Sequence, residues 1–302
     1  MFKNLFFVIW VFFFAPFLSS CEEPFAIDTD DAPPVIVIYG SFTNEWTCHS
    51  IKVSVSSPYF DSQPNRGISG AKVWVKSSAN DVYSFIENDT VPGLYQTTGK
   101  VAGIPGLAYT LNVEVDFDND DSKEIYTATS YMSAPTEIDS IEVRSVSMMG
   151  RKRYAMYLYA QDVPTEDYYL SRYKINDTLV LNKISQTSLV SDRTFNGQYM
   201  NALLLRMFGD VDDRNEDRDE DGDENSRVYL GLGDVVTLSL GRIEKGYYKF
   251  INQCRDEMEG ESPFFGSPAS NIITNISQGG RGYFACYPLT SIKTTVKSGN
   301  EE

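Results

Sequence analysis

Histidine, cysteine and positive charge are all scarce in this chain. His49 is the one histidine in 302 residues. Any Ser-His-Asp or Cys-His machinery therefore has only that ring to use, and Cys48 next to it cannot fold back as its nucleophile without strain. The expectation is a histidine at the surface or at a strand edge. The four cysteines, Cys21, Cys48, Cys254 and Cys286, show no spacing of a zinc site. With 26 basic against 42 acidic residues the net charge is −16. Such a surface repels phosphate backbones and argues against nucleic-acid binding. No phosphate-cradling loop is present, since Gly231-x-Gly233 and Gly279-Gly280 lack the Lys-Ser pair and the strand–helix setting. The longest apolar run, Leu5 to Leu18, has 14 residues, short of the ~20 that span a bilayer as a helix.

That run has Lys3 before it, no other charge until Glu22, and small residues after it, as in a secretory signal peptide over 1–20. Leu18-Ser19-Ser20-Cys21 resembles the bacterial lipobox, which implies cleavage before Cys21 and acylation of its thiol. An uncleaved anchor, or a plain signal with a chance cysteine, is the competing reading. Removing 1–20 takes away only Lys3 among the charges and leaves 25 basic against 42 acidic residues, a net charge of −17 over 282 residues. Residues 21–33, with Glu22, Glu23, Asp28, Asp30, Asp31 and Pro33, form an acidic tether. Acidic residues directly after the lipid cysteine resemble the surface-export signal of Bacteroidota lipoproteins; plain solubility is the alternative. With Cys21 acylated, Cys254 and Cys286 can bridge in an oxidising envelope, or the three remaining cysteines are buried free thiols.

Two domains are expected. Residues 34–135 carry short alternating strands. Val35–Tyr39 is followed by a turn over Gly40–Asn44, then come Ser50–Ser56, Gly70–Val75, Val82–Ile86, a strand from Gly93, Ala108–Val115 and Tyr126–Tyr131. This pattern reads as a β-sandwich. Gly70-Ala-x-Val-x-Val, Gly93-x-Tyr95 and Pro105-Gly106-x-x-Tyr109-x-Leu111-x-Val113 resemble transthyretin-like and carboxypeptidase-regulatory-like immunoglobulin-type domains. Gly93 and Gly106 are expected in left-handed turn positions. Residues 136–296 read as a second mostly-β domain, with strands at Ile138–Val143, Tyr154–Ala160, Tyr199–Met207, Val228–Leu232 and Asp234–Leu240 and near Ile272–Ile276 and Gly282–Ala285. One helix is expected at Lys245–Met258, with Tyr248, Ile251, Cys254 and Arg255 at helical spacing and Gly260 after it. Residues 297–302 are a tail.

The order of Cys21, Ile27-Asp28, Gly70-Ala71, Pro105-Gly106, Ile138-Asp139-Ser140-Ile141, Asp192 with Phe195-Asn196-Gly197, Tyr247-Tyr248, and Asn275-Ile276 through Gly280 to Gly282-Tyr283-Phe284 is similar to a Bacteroidota outer-membrane lipoprotein family of unknown function. The similarity spans nearly the whole mature chain. Members of that family are typically encoded beside TonB-dependent receptors. The resemblance therefore implies an accessory role at such a transporter, with no catalytic residue set to carry over.

Two features invite chemistry. Asp217-x-Asp219-x-Asp221-Gly222-Asp223 matches the start of a calcium loop, with oxygen ligands on alternate positions and a glycine for the turn. Val228 stands where the closing glutamate belongs, so a solvated acidic loop is the alternative. Tyr168, Tyr169, Tyr247, Tyr248 and Tyr283 can line a sugar or peptide platform, or can be core aromatics of sheets. Three functions follow as expectations. The first is a non-enzymatic lipoprotein that binds a transporter or a small nutrient, peptide or glycan. The second is an adhesin or structural surface module. The third is a glycan hydrolase using an Asp/Glu pair.

Overall fold

A computed structural model of the chain describes residues 34–56, 65–117, 120–180, 184, 187–213, 228–259 and 272–298. The leader, Cys21, the acidic tether and the Asp217–Asp223 loop lie outside the described residues.

Among the described residues the fold is mostly β with one α-helix, as expected. Its first strands are β1 (Ile36–Thr43), β2 (Ser50–Val55), β3 (Lys72–Ser77), β4 (Val82–Glu87), β5 (Leu94–Thr97), β6 (Ala108–Val115) and β7 (Glu124–Tyr131). The strict alternation read in β6 is realised: Tyr109, Leu111, Val113 and Val115 all point into the core. Gly93 and Gly106 take the expected left-handed backbone, with φ of 75° and 88°. An eighth strand comes from far along the chain, β16 (Arg281–Tyr287), and lies parallel to β1. The strand order is β16-β1-β2-β5-β4-β3-β6-β7.

The sheet curls until its two edge strands approach each other, and side chains bridge the seam. Cys286 N donates to Ser130 Oγ at 2.8 Å, and Thr127 N donates to Ser277 Oγ at 2.7 Å. Inside the curl lie Ile38, Phe42, Ile51, Val53, Tyr109, Leu111 and Phe284. The turn expected at Gly40 does not form. β1 runs on to Thr43 because β16 pairs with it along Val37–Thr43 and supplies the backbone partners that keep it extended.

The rest of the chain forms two further sheets, from β8 (Ser140–Met148), β9 (Arg151–Gln161), β10 (Tyr168–Ile175), β11 (Thr178–Val180), β12 (Ser188–Ser191), β13 (Tyr199–Asp210), β14 (Tyr229–Leu230), β15 (Val235–Ile243) and β17 (Leu289–Thr295). One sheet has the order β11-β10-β15-β17, with β12 also on β10; the other is β14-β13-β9-β8. A second core fills the space between them. Tyr154, Met156, Leu158 and Ala160 of β9 meet Tyr169, Tyr173, Val236, Leu238 and Leu240, so the face read from alternation is the buried one.

The helix α1 (Lys245–Glu259) starts directly after β15. Tyr247, Phe250 and Ile251 pack against Tyr168, Leu170, Tyr283, Ala285 and Tyr287 in a third core. β16 is thus buried on both faces, with Phe284 and Cys286 toward the first core and Tyr283, Ala285 and Tyr287 toward the helix. Pro288 then ends β16, and the chain crosses to pair with β15 as β17. Asn44 clips that crossing: its Oδ1 accepts from Leu289 N at 2.7 Å and its Nδ2 donates to Leu289 O at 3.2 Å. Among the described residues no helix is long and apolar enough to cross a membrane.

Two further expectations need correction. His49 is neither at the surface nor at an exposed edge. It is 4% exposed, tilted against Phe42 at 4.5 Å, with Nε2 3.1 Å from Val101 O. The ring is swallowed because the curl of the first sheet closes over it, which strand alternation does not reveal. Cys254 and Cys286 form no bridge. They lie in different cores, and Cys48, Cys254 and Cys286 are all free, with Cys48 exposed, Cys254 half-buried and Cys286 buried. Burial raises both of the enclosed thiols, Cys254 to about 11 and Cys286 well above its ordinary value, so neither is a nucleophile at neutral pH.

Burial also pushes the His49 ring below its ordinary value, against the hydrogen bond to Val101. A base depressed in the folded state leaves stability complete above the unfolded value of about 6.5. Stability then falls as pH drops through that value, because the unfolded chain takes up a proton that the folded chain refuses. Denaturation midpoints measured between pH 7.5 and 5.5 are expected to decline with acid in the native protein. In His49→Phe that decline should flatten, since no other histidine titrates there. An unchanged slope in His49→Phe would remove the ring from this role.

Candidate functional site

Three carboxylates converge where β9, β10 and β12 end together. β9 stops at Gln161, and Asp162 follows as the chain leaves the second core. Five residues later Asp167 stands just before β10. β12 runs antiparallel to β10, with Ser191 opposite Tyr168, so the next residue, Asp192, arrives beside Asp167. Asp167 N donates to Asp192 Oδ2 at 2.8 Å, and Asp192 N donates to Asp167 O at 3.2 Å. Asp192 opens a single 3-10 turn, Asp192–Thr194, closed by Phe195 N on Asp192 O at 2.7 Å. Gly197, left-handed at φ 72°, then returns its N–H to Asp162 Oδ2 at 2.9 Å. One oxygen from each of Asp162, Asp167 and Asp192 lies within 4.8 Å of the others.

Two of these carboxylates are enclosed, and Asp167 is half-buried. Asp162 is 1% exposed and Asp192 is fully buried. Tyr169 OH donates to Asp162 Oδ1 at 2.6 Å, and burial with this acidic neighbour holds the phenol far above its ordinary value. Thr165 Oγ1 donates to Asp167 Oδ2 at 2.7 Å, and the guanidinium of Arg242 approaches Asp167 Oδ1 at 3.6 Å. Asp192 Oδ1 has no hydrogen-bond partner. Burial raises the Asp192 carboxyl above the usual range; the N–H of Asp167 opposes this, and the negative charges of Asp162, Asp167 and Glu166 add to it.

Asp167 and Arg242 also line a cleft of about 300 Å³ between the end of β7, the start of β10 and the start of α1. Its charged groups are engaged by ion pairs or hydrogen bonds. Lys245 Nζ sits 3.1 Å from Glu166 Oε2, and Tyr168 OH donates to Glu166 Oε1 at 2.5 Å. Glu244 accepts from Ser130 Oγ at 2.5 Å. A second, open groove of about 1300 Å³ runs along β8. β8 is an edge strand of its sheet. Glu142, Arg144, Lys152 and Lys297 line the groove, so cations outnumber anions there on a chain that is acidic overall. Lys152 leans on the buried Asp210 at 2.9 Å, while Arg144 and Tyr159 share Glu142.

The residues singled out from sequence fall elsewhere. Tyr168, Tyr169, Tyr247 and Tyr283 are core side chains between 3% and 6% exposed, and Tyr248 stacks obliquely on Tyr168 at 4.6 Å. They form no platform. In the sequence Asp192 stands out only beside Phe195-Asn196-Gly197, and Asp162 and Asp167 carry no motif for chemistry. The available signal was an aspartate directly past one apolar strand and another directly before the next. Such residues are too frequent at strand ends for spacing alone to single them out.

The chain is therefore a mostly-β protein of curled and facing sheets, with a buried carboxylate cluster at the loop end of its second core. It belongs to the family described as Domain of unknown function (DUF4249), which matches residues 22–293. That span takes in every strand from β1 to β16 and most of β17. No curated protein matches the chain.

Proposed function

We propose that the protein is an outer-membrane lipoprotein, facing the cell exterior, that serves a TonB-dependent nutrient transporter as an accessory or ligand-binding partner and carries out no catalysis itself. The observation that carries this reading is Leu18-Ser19-Ser20-Cys21 behind a 14-residue apolar run, followed directly by acidic residues. Several acyl chains on Cys21 anchor durably where one would not. The long groove along β8, lined by Arg144, Lys152 and Lys297, is the surface offered to the partner; charge complementarity speeds and orients such encounters.

The test is co-purification from gently solubilised outer membranes. A TonB-dependent receptor is expected to come down with the wild-type protein and to be depleted by Arg144→Glu with Lys297→Glu. Recovery of the wild-type protein alone would sink the transporter role. An adhesin or structural module is the second reading, favoured by the exposed edge of β8, which suits addition of a foreign strand; self-association at the cell surface would favour it. Glycan hydrolysis draws no support from the acidic cluster, because Asp162 and Asp192 are too buried for a sugar to reach.

A further inference from the structure

We propose that Asp162, Asp167 and Asp192 form a calcium site that clamps the ends of β9, β10 and β12 together. Calcium–oxygen bonds of 2.3–2.6 Å place opposite ligands roughly 4.6–5.2 Å apart. The three oxygens, all within 4.8 Å of one another, fit around one such ion. Magnesium sheds its waters reluctantly and is usually held by only one or two carboxylates, and zinc prefers nitrogen and sulfur.

A second, independent observation points to a ligand. Asp192 Oδ1 is buried and without a hydrogen-bond partner, although an unsatisfied buried polar atom is strongly disfavoured. Each of the three carboxylates is also held by hydrogen bonds. Asp162 is fixed by Tyr169 OH and Gly197 N, Asp167 by Thr165 Oγ1, and Asp192 by the N–H of Asp167. These are the outer contacts that orient carboxylate ligands.

The charge fits as well. The three aspartates face one guanidinium, Arg242 at 3.6 Å from Asp167, while Lys245 and Arg193 both engage Glu166 at 3.1 and 3.8 Å. The aspartates with Arg242 therefore keep two negative charges, which one divalent cation neutralises. Asp167 opens onto the 300 Å³ cleft, giving the ion a way in and room for the waters that complete its shell. The competing state is a proton held on Asp192 in place of the ion.

The experiment uses the full chain in detergent, stripped with chelator, then titrated with CaCl2, with MgCl2 as control. It follows thermal unfolding and Tb3+ luminescence excited through Tyr169. Calcium is expected to raise the melting temperature by about 2 °C at tenfold excess over its dissociation constant, and by about twice that at hundredfold excess; magnesium should do much less. The quadruple variant Asp217→Asn, Asp219→Asn, Asp221→Asn, Asp223→Asn should keep the response, and Asp192→Asn, which is isosteric, should lose it together with the luminescence. Asp167→Asn, at the rim of the cleft, serves as the second variant if Asp192→Asn does not fold. The proposal is overturned if the wild type fails to respond, or if the response survives Asp192→Asn and Asp167→Asn but vanishes in the quadruple variant. A wild type that ignores calcium, and whose decline in stability from pH 7 to pH 5 steepens in Asp192→Asn, identifies the shared proton instead.

Discussion

Cys21→Ser is expected to abolish incorporation of labelled palmitate completely and to remove the protein from the outer-membrane fraction. Each buried methylene contributes about 0.8 kcal/mol to membrane affinity, and one saturated chain alone binds only marginally, so durable anchoring needs several chains on one residue. Serine offers no thioether to start that modification. Electrostatics supplies no substitute. The chain without 1–20 carries a net charge of −17, and anionic lipid heads repel it. Metabolic labelling, fractionation and the mass of the N-terminal peptide read the outcome directly. A Cys21→Ser protein that still co-fractionates with outer membranes would mean that something other than this thiol holds it there.

The second large effect is expected at Gly282. It stands opposite Ile38 where β16 meets β1, at φ 95°, and a Cβ there would overlap the Ile38 carbonyl. Gly282→Ala therefore meets two costs. The left-handed backbone is worth roughly 1–3 kcal/mol in a non-glycine residue, and the clash is with backbone, which cannot swing aside as a side-chain tip can. Moving β16 away would strip Phe284 and Cys286 from the first core and Tyr283, Ala285 and Tyr287 from the third. A loss of about 4 kcal/mol or more places the change among the exceptional single substitutions. Gly279→Ala is the matched control: its φ is 75°, yet nothing lies near its Cβ, so it should lose only about 1 kcal/mol. Urea titration of the two variants separates steric exclusion at the β1–β16 seam from backbone strain. Equal losses in both would show that the seam adds nothing.

The seam also marks the border between what could be read along the chain and what could not. Alternation in β6 and β9 named the buried faces correctly, because a strand half-sunk in a core needs apolar residues at every second position. The helix was legible for the same kind of reason: Ile251 and Cys254 recur at a helical interval, and the helix forms from Lys245 onward. β16 is different. Buried on both sides, it shows no alternation to reveal which sheet it joins, and its partner β1 lies more than 230 residues earlier. The Gly40 turn was misread because local chemistry favours a bend there and only that distant partner overrules it. His49 was misplaced because the curl of a whole sheet closes over it.

The candidate calcium site follows the same logic. Asp162, Asp167 and Asp192 sit in three separate loop ends, and ordinary strand-end aspartates look the same on paper. The antiparallel register of β10 with β12 brings the second and third together, and Gly197 folds the first onto them.

The order of residues alone established a mostly-β chain with one helix, an acidic surface, the inward faces of its strands, and a cysteine set behind a short apolar leader. Those properties depend on neighbours a few positions away, where periodicity and composition act directly. Tertiary structure decided which strands share a sheet, that β16 completes the first curl, that the cysteines at 254 and 286 stay apart, and that three aspartates meet. Each of these is a contact between segments far apart in the chain, chosen by what the whole fold can bury and hydrogen-bond at once.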